Sequence, residues 1–265
     1  MDLVDLKTTA LADSLMEIDV SEYYEPSRFE REKIELFRNY AQFVGPSCMI
    51  PEPGDYFAYD DTGIPILIVR NEAGVLNAFV NICSHRGAPL NECESGKAKK
   101  GRMFSCPYHG WSYDLEGALI GVPFGNEGFD SIDRSTLGLK RLQVEEKNGM
   151  IFVMPNPELR FDIDEVMGGI DERLSGFGFN DHYYLGSKQV FTNFSWKLNM
   201  DTFHEYYHFE FLHPNTIAQM AYTNLATYHQ YGRNHSMGSA ALSINELRDI
   251  PHDQWNPRAH SSYVN

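Results

Sequence analysis

An α+β chain, with an antiparallel β domain followed by a mixed domain, is what the sequence predicts, and three observations predict it. Between Asp55 and Val153 short β-type runs alternate with turn signals, the pattern of a small antiparallel domain. Before them, Ser27 and Glu30 form a capping box and Phe29, Ile34, Phe37, Tyr40 and Ala41 recur at helical spacing. After them, Tyr183 to Phe194 again reads as β-type, and a helix starts near Trp196.

Taken in order, the first helix is expected to run to about Val44, where Gly45-Pro46 would stop it. Strands follow at Tyr56 to Tyr59, Pro65 to Val69 and Leu76 to Ile82, then a hairpin from Val144 to Val153 around Asn148-Gly149. Pro155-Asn156-Pro157 reads as a boundary. These signals divide the chain into an N-terminal helical segment, 1–45, an antiparallel β domain, 46–156, and a further domain, 157–265.

Composition narrows the function classes. A hydrophobic content of 42% is ample for buried cores, and a formal charge of −15 argues against a nucleic-acid partner. No apolar run approaches the length that spans a membrane. Met1 to Val20 carry Asp and Glu rather than a basic start and an apolar stretch, so a cytoplasmic protein is expected. Four cysteines in 265 residues fit a reducing compartment without a disulfide framework.

The chemistry concentrates in two boxes, Cys83-Ser84-His85-Arg86-Gly87 and Cys106-Pro107-Tyr108-His109-Gly110-Trp111. Thiolates and imidazoles in equal number suit either zinc or an iron–sulfur centre. The order Cys, His, Cys, His lets each loop give one ligand to each iron of a [2Fe–2S] pair, a mixing that zinc fingers do not usually show. In these residues the chain resembles the Rieske family, and Arg86-Gly87 with Pro-Tyr-His-Gly-Trp looks like its ring-hydroxylating oxygenase branch. The resemblance implies a Rieske [2Fe–2S] cluster held by Cys83, His85, Cys106 and His109. Extra box cysteines, which form a disulfide clasp in respiratory members, are missing, and Cys48 and Cys93 read as ordinary thiols. Trp111 stands where the respiratory type has a Ser, so a low-potential centre is expected, since hydrogen bonds to cluster sulfurs raise the potential. Lys97 to Arg102, a basic run between the boxes, is either a solvated hairpin tip or a docking spot for an acidic electron donor.

A second constellation lies between Trp196 and Pro214. On one continuous helix Asp201, Glu205 and His208 would share a side, while Pro214 lets the helix end just before His213 and return that imidazole towards His208. Two His with room for one carboxylate are the makings of the facial triad of non-haem Fe(II) oxygenases. Trp-Lys, an acidic residue, then Glu-x-x-His-x-x-x-x-His-Pro resembles the mononuclear iron segment of the oxygenase large subunits. By that resemblance His208 and His213 are iron ligands and Glu205 is the carboxylate that links an iron-ligating His to a cluster-ligating His of the neighbouring subunit. His204-Glu205-Tyr206-Tyr207-His208 also spells the short zinc-protease signature, but Phe211 and Pro214 occupy the positions where its extended form needs Gly and His. The remaining His, at 182, 229, 235, 252 and 260, stand singly.

The family's third ligand is an Asp far downstream. Only 52 residues follow His213, with Glu246, Asp249 and Asp253 as their carboxylates, and none has a matching context, so a C-terminally truncated large subunit is expected. The resemblance further implies a partial helix-grip catalytic domain on which the N-terminal segment packs. It also implies a head-to-tail homotrimer, with or without a small beta subunit, and electrons from NAD(P)H through a flavin reductase, directly or by way of a ferredoxin. The activity it implies is O2-dependent hydroxylation of an aromatic or other small organic substrate, with oxidative demethylation, as of a quaternary amine, as the alternative. A Rieske electron carrier without oxygenase activity is the reading from another class, and the Glu205, His208 and His213 segment argues against it.

Overall fold

The computed structural model describes residues 2–90, 95–98, 103–255 and 261–264. Contacts divide the chain into a larger unit, Pro26–Val166 with Asp171–Lys188, and a smaller one, Met1–Glu25 with Met167–Ile170 and Gln189–Asn265.

The larger unit carries strands β1 (Gln42–Pro46), β2 (Asp55–Tyr59), β3 (Ile66–Arg70), β4 (Leu76–Val80), β5 (Ser95–Lys97), β6 (Met103–Ser105), β7 (Ser112–Asp114), β8 (Leu119–Gly121), β9 (Arg141–Leu142), β10 (Val144–Lys147) and β11 (Met150–Val153). They form antiparallel sheets ordered β5-β2-β3-β4-β9, β1-β11-β10 and β6-β7-β8. β3 explains the layering. Its run Ile66-Leu67-Ile68-Val69 is fully buried, and successive side chains leave opposite faces of a strand. Leu67 and Val69 join Phe79, Cys83, Cys106, Trp111 and Tyr113 in one core. Ile66 and Ile68 join Phe57, Ala78, Ile151 and Val153 in another. The central sheet is thus covered on both faces, and each such side chain contributes about 1.5–3 kcal/mol by leaving water. At the β10–β11 turn Asn148 and Gly149 take φ of 52° and 75°, the left-handed pair that a two-residue hairpin of this twist requires.

Two expectations are corrected in this unit. The first helix is Pro26–Glu35 and ends well before Val44. Gln42 is the reason: its side-chain amide donates to the carbonyls of Leu36 and Tyr40, and its backbone pairs with Val153, so residues 42–46 become β1 instead of helix. Pro155-Asn156-Pro157 does not close the unit, which runs on through Val166 and includes the Pro26–Glu35 helix. Gln143 exchanges hydrogen bonds with the backbone of Phe161, and Lys147 pairs with Asp164 at 2.6 Å and Asp171 at 3.0 Å, which ties the later residues to β10. Lys97 lies on β5 and pairs with Asp55 at 3.4 Å, whereas Lys99 to Arg102 and Cys93 lie outside the described residues.

The smaller unit contains helices Asp2–Leu6, Ser21–Tyr24, Trp196–Phe203 and Phe209–Leu212 and the antiparallel sheet β12 (Thr227–Tyr231), β13 (Asn234–Ala240), β14 (Ser261–Val264). Val4 packs with Leu225 and Ala240, and Met237 with Tyr206 and Ala226. Ala10 N–H and Thr9 Oγ1 bond Ala226, so residues 1–25 belong here while the next helix does not. The β-type stretch Tyr183 to Phe194 pairs with no strand among the described residues, and Leu185 and Phe191 stand 99% and 88% exposed. β-type side chains make a strand only where an edge receives them. Among the described residues no helix is long and apolar enough to cross a membrane.

Candidate metal centres

The two boxes fold into the same loop despite their different His spacing. In the first, Cys83 N–H donates to Ala88 O at 2.8 Å and Gly87 N–H to Cys83 O at 2.9 Å. In the second, Cys106 N–H donates to Trp111 O at 2.8 Å and Gly110 N–H to Cys106 O at 3.0 Å. Each loop therefore closes on a Gly four residues after its Cys, and Gly87 and Gly110 sit at φ of 73° and 71°, where a side chain would be strained. Cys83 and Cys106 are buried, and the rings of His85 and His109 meet edge to face with centroids 4.8 Å apart.

The surroundings prepare these groups to hold a metal. Trp111 stacks on His85 at 4.7 Å and 8°, and Phe129 packs its edge against both rings. His85 Nδ1 is buried and has no hydrogen-bond partner, an orphaned lone pair that a metal ion would satisfy. Burial, followed by the charges of His109 and Arg86, holds the His85 imidazole below its ordinary range, in the neutral form that ligation needs. Two buried thiols, two adjoining imidazoles and an orphaned ring nitrogen fit a [2Fe–2S] centre of the mixed-ligand type.

One residue of this site went unread in the sequence. Tyr113, fully buried on β7, places its hydroxyl 3.2 Å from Cys83 Sγ and accepts the Ser84 N–H at 3.1 Å. Burial, then the Cys83 bond, pushes that hydroxyl up to about 12. The available signal was its place two residues after Trp111, the spacing that returns a strand to the same face.

The second constellation is built differently from expectation. The Trp196–Phe203 helix starts where Ser195 accepts the Lys197 N–H, and it stops at Phe203 instead of continuing to Leu212. His204 ends it by placing Nδ1 2.6 Å from Met200 O. A new short helix, Phe209–Leu212, follows, and Glu205 serves its start by accepting the His208 N–H at 3.1 Å. Because of this break Asp201 does not share a cluster with Glu205: it accepts from the Tyr23 hydroxyl at 2.6 Å.

Glu205 and His208 are brought together, the carboxylate meeting Nδ1 of the ring. That contact fixes Nδ1 as the protonated nitrogen and leaves Nε2 as the lone-pair donor, the arrangement that carboxylates impose on metal-bound histidines. His213 terminates the short helix, its N–H bonded to Phe209 O at 3.0 Å, and its ring lies 5.5 Å from that of His208. Phe209 packs against both rings. Among the described residues no group of three His, Cys, Asp or Glu side chains is set to hold a metal ion, at the two boxes or at this pair, and Glu246, Asp249 and Asp253 do not complete a ligand set here. The pair and its supporting carboxylate fit two of the three positions of a facial triad.

A two-loop Cys/His domain, followed along the chain by a carboxylate-supported His pair in a mixed unit, defines the class of Rieske non-haem iron oxygenase alpha subunits. Residues 41–137 match the Rieske [2Fe-2S] domain, and residues 179–265 match the catalytic domain of the ring hydroxylating alpha subunit. The chain belongs to this family, whose two domains imply a Rieske cluster and a mononuclear non-haem iron. It is 31% identical over 195 residues to the glycine betaine monooxygenase oxygenase subunit of Chromohalobacter salexigens, an alignment covering 74% of this chain and 42% of that one. It is 31% identical to the anthranilate 1,2-dioxygenase large subunit of Burkholderia cepacia, over 70% of this chain and 45% of that one. Among solved structures it superposes on the quaternary ammonium Rieske monooxygenase CntA with a TM-score of 0.76 and 28% identity, covering 84% of this chain and 61% of that chain. The chain thus spans less than half the length of these two curated relatives.

Proposed function

We propose that this chain carries the cluster domain and the histidine pair of a terminal oxygenase component. Cys83, His85, Cys106 and His109 hold the [2Fe–2S] cluster, and His208 and His213 supply two ligands to the mononuclear iron. When bound, the cluster stores and passes single electrons and the iron activates O2 beside the substrate. The protein's part is to bury the thiols, disfavour protonation of the His85 imidazole and fix the His208 tautomer through Glu205. Glu205 is the electron-path carboxylate: one oxygen meets the His208 ring at Nδ1, the other accepts the His208 backbone N–H, and the remaining lone pairs would take a cluster histidine of a neighbouring copy in a head-to-tail homotrimer. Electrons come from NAD(P)H through a flavin reductase, with or without a ferredoxin. The observation that carries the reading is the Glu205–His208 contact beside His213, for which a pure electron carrier has no use.

For the substrate, oxidation of an N-methyl group in a quaternary amine leads, supported by similarity to glycine betaine and carnitine oxygenase subunits. Hydroxylation of an aromatic acid is the second reading, supported by the anthranilate dioxygenase relative. Oxygen uptake by the purified protein with a flavin reductase and NADH, offered glycine betaine, carnitine or anthranilate in turn, separates them. Uptake with formaldehyde release from a betaine supports the first reading, and uptake with anthranilate alone supports the second. Cluster reduction without uptake on any substrate, by a preparation that also holds mononuclear iron, contradicts the oxygenase assignment.

A further inference from the structure

Apart from the two centres, the smaller unit holds a cavity of about 240 Å³ lined by His204 at the end of the Trp196–Phe203 helix and by residues of β12 and β13. Tyr228 stands opposite Met237 and Gln230 opposite His235, so these four side chains leave the sheet on one face, the face on which Met237 packs against Tyr206. His229 pairs with Ser236 and belongs to the opposite face, so the three imidazoles of the wall do not converge as a metal ligand set would.

The fixed polar groups of this cavity are acceptors. A carbonyl can only accept, so the 2.6 Å contact of His204 Nδ1 with Met200 O places the ring proton on Nδ1 and leaves Nε2 with a lone pair. Gln230 donates its amide to Gly232 O at 3.0 Å and retains Oε1 as an acceptor. The charge of Glu205 reaches the cavity: burial, then that charge, holds the Tyr228 hydroxyl above its ordinary value. No Lys or Arg lines the wall. An anion entering here would meet lone pairs and the field of a carboxylate, whereas a cation that carries an N–H finds partners for both its charge and its hydrogen.

We propose that this cavity binds a small alkylammonium ion through an N–H group, which His204 Nε2 and Gln230 Oε1 accept beside the Tyr228 ring. A quaternary ammonium ion has no N–H. When one of its methyl groups leaves as formaldehyde the nitrogen becomes a tertiary amine, and a proton taken from water restores its charge and gives it an N–H. The cavity therefore selects the product of N-methyl oxidation over its substrate. That consequence rests on the quaternary-amine reading above, and the selectivity for N–H ammonium ions does not.

The test is a titration of the whole 265-residue protein at neutral pH, followed by NMR of isotope-labelled histidine rings. The His204 and His235 resonances are expected to shift saturably with trimethylammonium chloride, with a Kd at least about tenfold below that for tetramethylammonium chloride at the same ionic strength, the factor that a hydrogen bond from a charged donor supplies. His204→Phe keeps a ring and removes the lone pair, and should erase most of that preference. Gln230→Met, at an exposed strand position, gives the same reading if His204→Phe does not fold. Equal affinity of the wild type for the two ions, equal shifts with sodium acetate, or no saturable shift with either ion overturns the proposal. A second arm compares N,N-dimethylglycine with glycine betaine, and tighter binding of dimethylglycine supports the product role. Trimethylammonium selectivity in a protein that takes up O2 with anthranilate alone leaves the cavity assignment standing and removes the product role, so the two readings fail separately.

Discussion

The two candidate centres sit in very different ground. Cys83 and Cys106 are 2% and 4% exposed and belong to a core that continues through Leu67, Phe79 and Tyr113. The His208 and His213 pair sits on a unit whose neighbouring helices leave Phe203, Phe211 and Leu212 60%, 71% and 65% exposed. The first centre draws its four candidate ligands from two self-closing loops, with both thiols buried and the two imidazole rings 4.8 Å apart. The second has two histidines and a supporting carboxylate, and no third ligand joins them among the described residues. A site made of local loops is complete wherever those loops and their core are present, whereas a site drawn from distant parts of a chain depends on every part.

The largest effect that would break this contrast is in the core. Leu67→Ala, at a fully buried position of β3, is expected to destabilise the larger unit by about 2–5 kcal/mol in urea unfolding. A loss under 1 kcal/mol would mean that the two-sided burial of β3 is not what holds the cluster loops. Ser195→Ala, which removes the hydroxyl that accepts the Lys197 N–H, should cost the smaller unit about 1 kcal/mol, seen as lower helical ellipticity on mild heating.

The third prediction concerns pH. The Asn71 hydrogen bond, opposed by desolvation and aided by Asn77 and Arg141, holds the Glu116 carboxyl below its usual 4.5. A carboxylate whose folded value lies below its unfolded one adds stability that is fully present above 4.5 and is lost as pH falls through the folded value. Glu116→Gln should therefore flatten the acid limb of the larger unit's stability curve, and an unchanged limb in pH-dependent unfolding would remove Glu116 from the account. The smallest effect belongs to Phe211→Ala, expected to change stability by no more than about 0.5 kcal/mol because the side chain is already largely in water. A loss of several kcal/mol would show that another surface covers this helix in solution.

The same contrast runs through what the sequence made legible. Both boxes, the strands that present them and the Asn148-Gly149 turn depend on neighbours within a few residues, and those short-range signals can be read directly. The helix end at Glu35 depends on Gln42 pairing with Val153, which leaves no local trace, and the Tyr113–Cys83 contact joins positions 30 apart, so the place of Tyr113 two residues after Trp111 does not by itself reveal its partner. The break after Phe203 was hidden for a different reason. Helical periodicity continues through Glu205 and His208, while the bonds from His204 to Met200 O and from His208 to Glu205 reset the chain between two helices. The stretch from Tyr183 to Phe194 shows the converse, a β-type pattern with no strand to receive it among the described residues.

The most direct test of the central claim is an iron count with low-temperature EPR on anaerobically purified protein, wild type beside His85→Ala and His208→Ala. The account predicts a Rieske-type signal that His85→Ala abolishes and His208→Ala leaves intact, with the cluster's two irons retained in the latter. A colourless, iron-free protein that holds only zinc after iron-replete preparation would contradict it.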